Sequence, residues 1–269
     1  MSLWFDPVPT VELAIAAVAY VWASARPARW EPWRTVAFLA GLAAVGLALG
    51  PLDAVATSGL AGHMVQHLVL IFVAPPLLLA GAPLRLALAT LPAEAGRALV
   101  RLGRSVPIRS LSRPVVALAG FATLILGTHV PGFYEAALEH PLLHALEHVL
   151  YLLAGLLLWL PVLAPAPLPR RLSPLGRVLY LLFAMFPGAV VGLTLMTATA
   201  SLYPAYGSGA AAVAEQWRAG MIMWASGAAV LGAAIVGVGW AAILEEERRQ
   251  RIRDAHDART SALDGGGAQ

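Results

Sequence analysis

Histidine is the residue type in this sequence that is best suited to chemistry, and six of the seven histidines occupy three short stretches. Two of these stretches carry HxxxH pairs, formed by His63 with His67 and by His144 with His148. Residues four positions apart in a helix lie on one face, about 6 Å apart along the axis. Because imidazole is the commonest side-chain ligand of transition metals, two such pairs predict a site with four imidazole ligands.

His129 and His140 are further candidate ligands. His129 stands just before Pro131, where a helix is expected to end, so it is placed to close the site from above. His140 directly precedes Pro141, and proline favours the first turn of a helix. We therefore expect His140 at a helix N-cap or in a loop rather than on the face that carries the HxxxH pair.

Other side chains are candidates for supporting roles. Glu147 follows His144 by three residues and is placed to orient an imidazole by a hydrogen bond. Three methionines, Met196, Met221 and Met223, are candidate soft ligands for Cu(I), although packing in the core is the simpler interpretation for a thioether.

The composition identifies the elements that must position these residues. The chain is 59% hydrophobic and only 12% charged, with a mean hydropathy of +0.74, which excludes an ordinary soluble domain. Stretches of 17 to 25 apolar residues can each cross a bilayer as a helix. The sequence contains no cysteine, which excludes disulfides and thiolate metal sites.

The hydropathy pattern predicts an all-α fold, a bundle of seven transmembrane helices. The predicted spans lie near residues 9–25, 35–52, 62–81, 114–130, 141–163, 177–199 and 217–243. Residues 1–243 then form one transmembrane domain, and residues 244–269 form a charged, partly disordered cytoplasmic tail. Between the third and fourth spans we expect one short helix on the membrane surface, with a solvated linker as the alternative.

The distribution of arginine predicts the orientation of these spans. All eighteen basic residues are arginine, and seventeen of them lie in the first, third and fifth connections or in the tail. By the positive-inside rule these segments face the cytoplasm and the N-terminus lies outside. The six clustered histidines then share the outer side of the membrane. Arginines beside apolar spans also account for the net charge of +3 without nucleic-acid binding.

Three segments of the sequence resemble the caa-type cytochrome c oxidase assembly factor family. They are GHMVQHLVLIFVAPPLLLAGAPLR at 62–85, GTHVPGFYEAALEHPLLHALEHVLYLLAGLLLWLPV at 127–162, and EQWRAGMIMW at 215–224. The most specific feature is the histidine pair followed by Ala-Pro-Pro-Leu and a Gly-x-Pro. The resemblance extends from about residue 35 to residue 243.

The resemblance implies a non-enzymatic role in the assembly of a haem-copper cytochrome c oxidase in a bacterial cytoplasmic membrane. The protein would bind copper and help to deliver it to the catalytic subunit of the oxidase, with an extracytoplasmic copper donor as a further partner. The recurring histidines of the family correspond to His63, His67, His129, His144 and His148, whereas His140 is less typical. The absence of cysteine separates this chain from an unrelated single-span copper chaperone that shares the family name.

The sequence leaves alternatives open for the metal and for the class of function. Cu(I), Cu(II) and Zn(II) all accept imidazole ligands, and a b-type haem can be held by one histidine from each of two helices. An intramembrane oxidoreductase or zinc hydrolase is therefore the alternative function. The HALEH motif places Glu147 directly beside His148, so the HExxH pattern of zinc proteases is absent, as are the P-loop and GxSxG motifs.

Overall fold

Helices make up nearly all of this computed structural model, which describes residues 7–163 and 172–265, with side chains described as far as residue 254. No strand occurs among these residues. The helices are α1 Pro7–Ser24, α2 Pro32–Leu49, α3 Pro51–Ala56, α4 Leu60–Leu68, α5 Ala74–Ala80, α6 Pro83–Thr90, α7 Ala93–Gly103, α8 Val106–Leu111, α9 Pro114–Thr128, α10 Pro131–Glu139, α11 Pro141–Leu163, α12 Pro174–Thr197 and α13 Gly209–Gly265.

Five helical segments in the described part of the chain are long and apolar enough to cross a membrane. They are Pro32–Ala56, Leu60–Thr90, Pro141–Leu163, Pro174–Thr197 and Gly209–Asp254. The pair α9 and α10, bent by 76° at its junction, makes a sixth if it is counted as one span, and Val8–Ser24 is a shorter apolar helix. For the described residues, the prediction of an all-helical protein with several helices long and apolar enough to cross a membrane is confirmed, and the number of seven spans stays a prediction.

A wide helical turn follows the first histidine pair. Val69–Val73 forms a π-helical turn between α4 and α5, and Pro75 begins the next stretch. Proline has no N–H, so Ile71 loses the donor that an α-helix would supply to its carbonyl. The indole Nε1 of Trp159 in α11 donates to that carbonyl at 3.1 Å. The Ala-Pro-Pro sequence thus makes a contact between the two helices that carry the histidine pairs.

Close approach at this contact depends on a glycine. A Cβ added to Gly155 of α11 would lie 2.6 Å from Pro75 Cγ and 2.7 Å from the carbonyl oxygen of Ile71. Cβ atoms essentially never come this near to such neighbours. Gly155 therefore allows α11 to pack directly on the irregular part of the α4–α5 segment.

Two connections of the chain meet at one end of the bundle. The hydroxyl of Tyr20 in α1 donates to the carbonyl of Gly81 at 2.5 Å, and Arg34 Nη1 donates to the carbonyl of Ala80 at 3.2 Å. These bonds tie α1 and the start of α2 to the end of α5. Arg26 and Arg29 precede α2, and Arg85 lies at the start of α6. We call this the arginine end and the opposite end the histidine end.

One segment differs from the sequence-based expectation. Three short helices, α6, α7 and α8, stand where one was expected, because prolines at 83, 92 and 107 each begin a new turn of helix. No residue of α7 or α8 is buried.

The last helix begins at Gly209 and runs through the charged segment, with Arg249 bonded to Glu245 at 3.1 Å. Residues 266–269 of the expected tail lie outside the described chain.

Candidate metal centre

The first histidine pair lies within α4, with His67 in its last turn. His63 and His67 are 1% and 3% exposed, and their Nε2 atoms are 2.9 Å apart. The N-terminus of α4 is held by Glu215 of α13, whose Oε1 accepts a hydrogen bond from the backbone N–H of Ala61 at 3.1 Å. A carboxylate is favourable there, because the first N–H groups of a helix have no partner within the helix.

The second pair, on α11, faces the first pair. The rings of His144 and His148 are 4.3 Å apart, His63 is 5.2 Å from His144, and His67 is 5.9 Å from His148. One ring nitrogen from each of the four residues lies within 4.8 Å of the other three. The convergence expected from two HxxxH pairs is therefore present in the structure.

The four imidazoles fit a small metal ion. Four nitrogens arranged tetrahedrally about 2.0 Å from an ion stand about 3.3 Å from one another, so modest side-chain movement would close the group around one ion. The Nε2 atoms of His144 and His148 are buried and have no hydrogen-bond partner. Buried polar atoms are nearly always paired, so two unpaired nitrogens beside two other imidazoles are consistent with ligands. We call these four residues the histidine cluster.

His129 lies beside the histidine cluster at the bend between α9 and α10. Its ring is 6.4 Å from that of His67, and its Nδ1–H donates to the carbonyl of Ile125 at 2.7 Å. That bond leaves the lone pair on Nε2, which is buried and has no partner. His140 is exposed at the end of α10 and is not a member of the cluster.

Four tyrosines surround the histidines, and sequence reasoning did not identify them. We call Tyr134, Tyr151, Tyr203 and Tyr206 the tyrosine shell. The hydroxyl of Tyr206 is 2.7 Å from His63 Nδ1 and 3.4 Å from the carbonyl of Ala56, to which it donates. Burial raises the pKa of Tyr206 to about 12, so the hydroxyl keeps its proton at neutral pH. When Tyr206 donates to Ala56 it can accept a hydrogen bond from Nδ1–H of His63, and that tautomer leaves Nε2 of His63 with its lone pair.

The remaining members of the shell hold the neighbouring elements. Tyr203 donates to the carbonyl of His129 at 2.7 Å, and Tyr134 stacks on Tyr203 with ring centroids 4.3 Å apart. Tyr151 lies 4.2 Å from the ring of His67 and shares a 2.5 Å hydrogen bond with Thr128. One signal was available in the sequence: these are four of the chain's six tyrosines, and they lie in or near the histidine-bearing segments and the connection before α13.

The segment that carries Tyr203 and Tyr206 is anchored by Gln216 of α13, which is 1% exposed. Its Oε1 accepts from the backbone N–H of Leu202 at 2.7 Å. Its Nε2 donates to the carbonyls of Leu195 at 3.2 Å and Ala200 at 3.3 Å. One amide side chain therefore fixes the connection between α12 and α13 next to the histidine cluster.

Glu147 is buried beside the tyrosine shell, with 1% of its surface exposed. Neither carboxylate oxygen is hydrogen-bonded to an imidazole, so the expected hydrogen bond to a histidine is not present, and the polar contact of Glu147 is with Tyr151. The carboxylate interacts electrostatically with all four members of the shell. Its place in the structure is therefore on the tyrosine side of the cluster.

The methionines occupy packing positions. Met223 lines an apolar cavity of about 50 Å³ that also contacts Phe72 and Trp224. Met196 packs against Gly220 where α12 and α13 come together, and Met221 is half-buried. These surroundings agree with the core-packing interpretation of the thioethers.

Asp53 of α3 was not assigned to the site by its sequence position, but it lies near the histidine cluster. Gln66 Nε2 donates to Asp53 Oδ1 at 3.0 Å and to the carbonyl of Ala48 at 2.9 Å. The Asp53 carboxylate interacts electrostatically with His144 and His148. Gln66 lies between the two histidines of HMVQH but points away from their face of α4. On that other face it reaches Asp53 in the preceding helix, α3, which its position in the sequence did not indicate.

Comparisons with known proteins identify the family of this chain. The family model described as cytochrome c oxidase caa3 assembly factor matches residues 16–243. Uncharacterized proteins of Mycobacterium bovis and Mycobacterium tuberculosis are each 28% identical over 216 residues, and one of Mycobacterium leprae is 29% identical over 217 residues. The alignments cover 75% of this chain and 32% of each relative, so the chain spans about a third of the length of these curated relatives. No solved structure matches it. The match over residues 16–243 establishes that the chain belongs to the cytochrome c oxidase caa3 assembly factor family.

Proposed function

We propose that this protein carries copper to the catalytic subunit of a haem-copper oxidase during assembly. The observation that carries the proposal is the histidine cluster, whose four ligand nitrogens lie within 4.8 Å of one another. Imidazole binds copper more tightly than most other divalent first-row metals, and the chain has no thiolate that would compete for the ion. An oxidase assembly factor with such a cluster is suited to holding copper as cargo.

The proposal includes a topology of seven membrane crossings. The five long apolar segments would be five of these crossings. Val8–Ser24 and the bent pair α9 and α10 would be the other two. The positive-inside rule then puts the arginine end in the cytoplasm and the histidine end outside, with residues 1–243 as the membrane domain and 244–269 as a cytoplasmic tail. Copper from an extracytoplasmic donor would reach the histidine end without crossing the bilayer.

The same histidines would hold the ion and give it up by ligand exchange. His63, His67, His144 and His148 would bind the cargo, and His129 Nε2, buried beside them, is available as a further ligand. Tyr206 would favour the tautomer of His63 that presents Nε2 by accepting from Nδ1–H. Neutral imidazoles exchange one at a time with the ligands of an acceptor, so delivery needs no catalytic turnover.

The direct test is the metal content of the purified full-length chain and of three variants. We expect wild type and His140→Ala to hold copper, since His140 is exposed and outside the cluster. We expect His67→Ala and His144→Ala to lose most of it. Copper that is substoichiometric in wild type, or unaffected by both cluster substitutions, would contradict the proposal. Stoichiometric zinc or haem instead would favour the alternative metal enzyme.

A second test concerns the oxidase. In a strain that lacks this protein, grown at limiting copper, we expect low oxidase activity and incomplete occupancy of the copper centre in the catalytic subunit. Wild type should restore both, and His67→Ala should not. A fully occupied copper centre in the deletion strain would rule out the assembly role even if the purified protein bound copper.

A further inference from the structure

The four members of the histidine cluster are not equally accessible. His63, His67 and His148 are 1%, 3% and 8% exposed, whereas His144 is only half-buried. His144 therefore offers more exposed surface to an arriving ion than the other three members do. The accessible side of the cluster is therefore the side of His144.

Gln66, one residue before His67, bonds to a carboxylate that interacts with the accessible histidine. Asp53 is half-buried and is an electrostatic partner of His144 and His148, and no other acidic residue is a partner of either among the described residues. Gln66, which is fully buried, holds Oδ1 of Asp53 at 3.0 Å. No hydrogen bond within the described chain occupies Oδ2, so one oxygen remains available to a cation.

The other acidic residues near the cluster are engaged elsewhere. Glu147 is 1% exposed and faces the tyrosine shell. Glu215 accepts from the N–H of Ala61 at 3.1 Å and pairs with Arg218 at 2.5 Å. Asp53 is thus the acidic side chain that remains available to interact with the accessible histidine.

We propose that Asp53 and His144 form a port through which the metal ion enters and leaves the histidine cluster. The proposal rests on the copper-carrying function and adds the route of exchange. A negative charge at a narrow opening raises the local concentration of cations and their rate of association. A carboxylate oxygen is a weaker ligand than imidazole for a soft ion, so the ion moves on from Asp53 to His144. On release the ion passes from His144 back to Asp53. An acceptor protein would then take it up beside α3 and α11.

The test compares loading rates and final copper content in the full chain in neutral detergent. Cu(I) is supplied under argon as its cationic acetonitrile complex, and loading is followed by quenching of tyrosine and tryptophan fluorescence. Asp53→Asn removes the charge but keeps an oxygen that can accept from Gln66. Asp53→Glu keeps the charge, and Glu139→Gln removes an exposed carboxylate that is not a partner of His144 or His148.

We expect Asp53→Asn to load about tenfold more slowly at low ionic strength, with unchanged final copper content. The difference should shrink to about twofold or less at 1 M salt, where the Debye length is about 3 Å. Asp53→Glu should recover most of the rate, and Glu139→Gln should load like wild type. Equal rates for Asp53→Asn and wild type would overturn the port, as would a matching loss of copper content, which would make Asp53 a resident ligand. A wild type that takes up no copper would instead refute the proposed function itself.

Discussion

Replacing Tyr206 by phenylalanine should weaken copper binding about 10- to 100-fold, because partners that orient a ligating histidine typically contribute that much to metal affinity. The hydroxyl lies 2.7 Å from His63 Nδ1 and 3.4 Å from the carbonyl of Ala56. Without it, Nδ1 has no acceptor for its proton, and the imidazole can adopt the tautomer whose Nε2 carries hydrogen and cannot bind a metal. The loss corresponds to about 1.4 to 2.7 kcal/mol of binding free energy.

The assay is competition for Cu(I) between the full-length protein and a chelator of known affinity, under argon. Tyr20→Phe is a matched control, because it removes another buried tyrosine hydroxyl, which donates to the carbonyl of Gly81 at the arginine end. We expect Tyr20→Phe to bind copper like wild type even if it unfolds more easily. Unchanged affinity in Tyr206→Phe, or an equal loss in both variants, would refute the role assigned to Tyr206.

Two further substitutions test how the elements around the cluster are held. Gly155→Ala should lower the unfolding temperature in detergent, with a cost of about 1 to 3 kcal/mol from overpacking. Gly120→Ala, where a Cβ meets nothing within 4 Å, should be neutral or slightly stabilising, and equal effects of the two changes would contradict this account. Gln216→Ala leaves three backbone groups without partners, so limited proteolysis should cut the connection between α12 and α13 faster than in wild type. An unchanged cleavage pattern would show that the connection is held by other contacts.

The features that could be predicted from the sequence are those that depend on the length of one helix or on the spacing of residues along it. A run of apolar residues predicts a membrane helix because the bilayer has a fixed thickness, and the five long apolar segments follow from that rule. The spacing of His144 and His148 places both on one face of α11, and their rings are 4.3 Å apart. These inferences need only the geometry of a single helix.

The features that could not be predicted arise from contacts between distant parts of the chain. Tyr206 is 143 residues from His63, and Gln66 reaches Asp53 across a turn whose direction depends on packing. The bend after α9 and the π-helical turn after α4 depend on which neighbour satisfies a free carbonyl, such as Trp159 for Ile71. No local pattern in a single sequence specifies these partners.

Two adjacent residues of α13 connect that helix to two different parts of the site by hydrogen bonds. Glu215 holds the N-terminus of α4, and Gln216 holds the connection that carries Tyr206. Neighbouring side chains project about 100° apart around a helix, so a rotation of α13 about its axis displaces both elements together. The helix has 57 residues and is about 85 Å long. A displacement of α13 would therefore move both the helix that carries His63 and the connection that carries Tyr206.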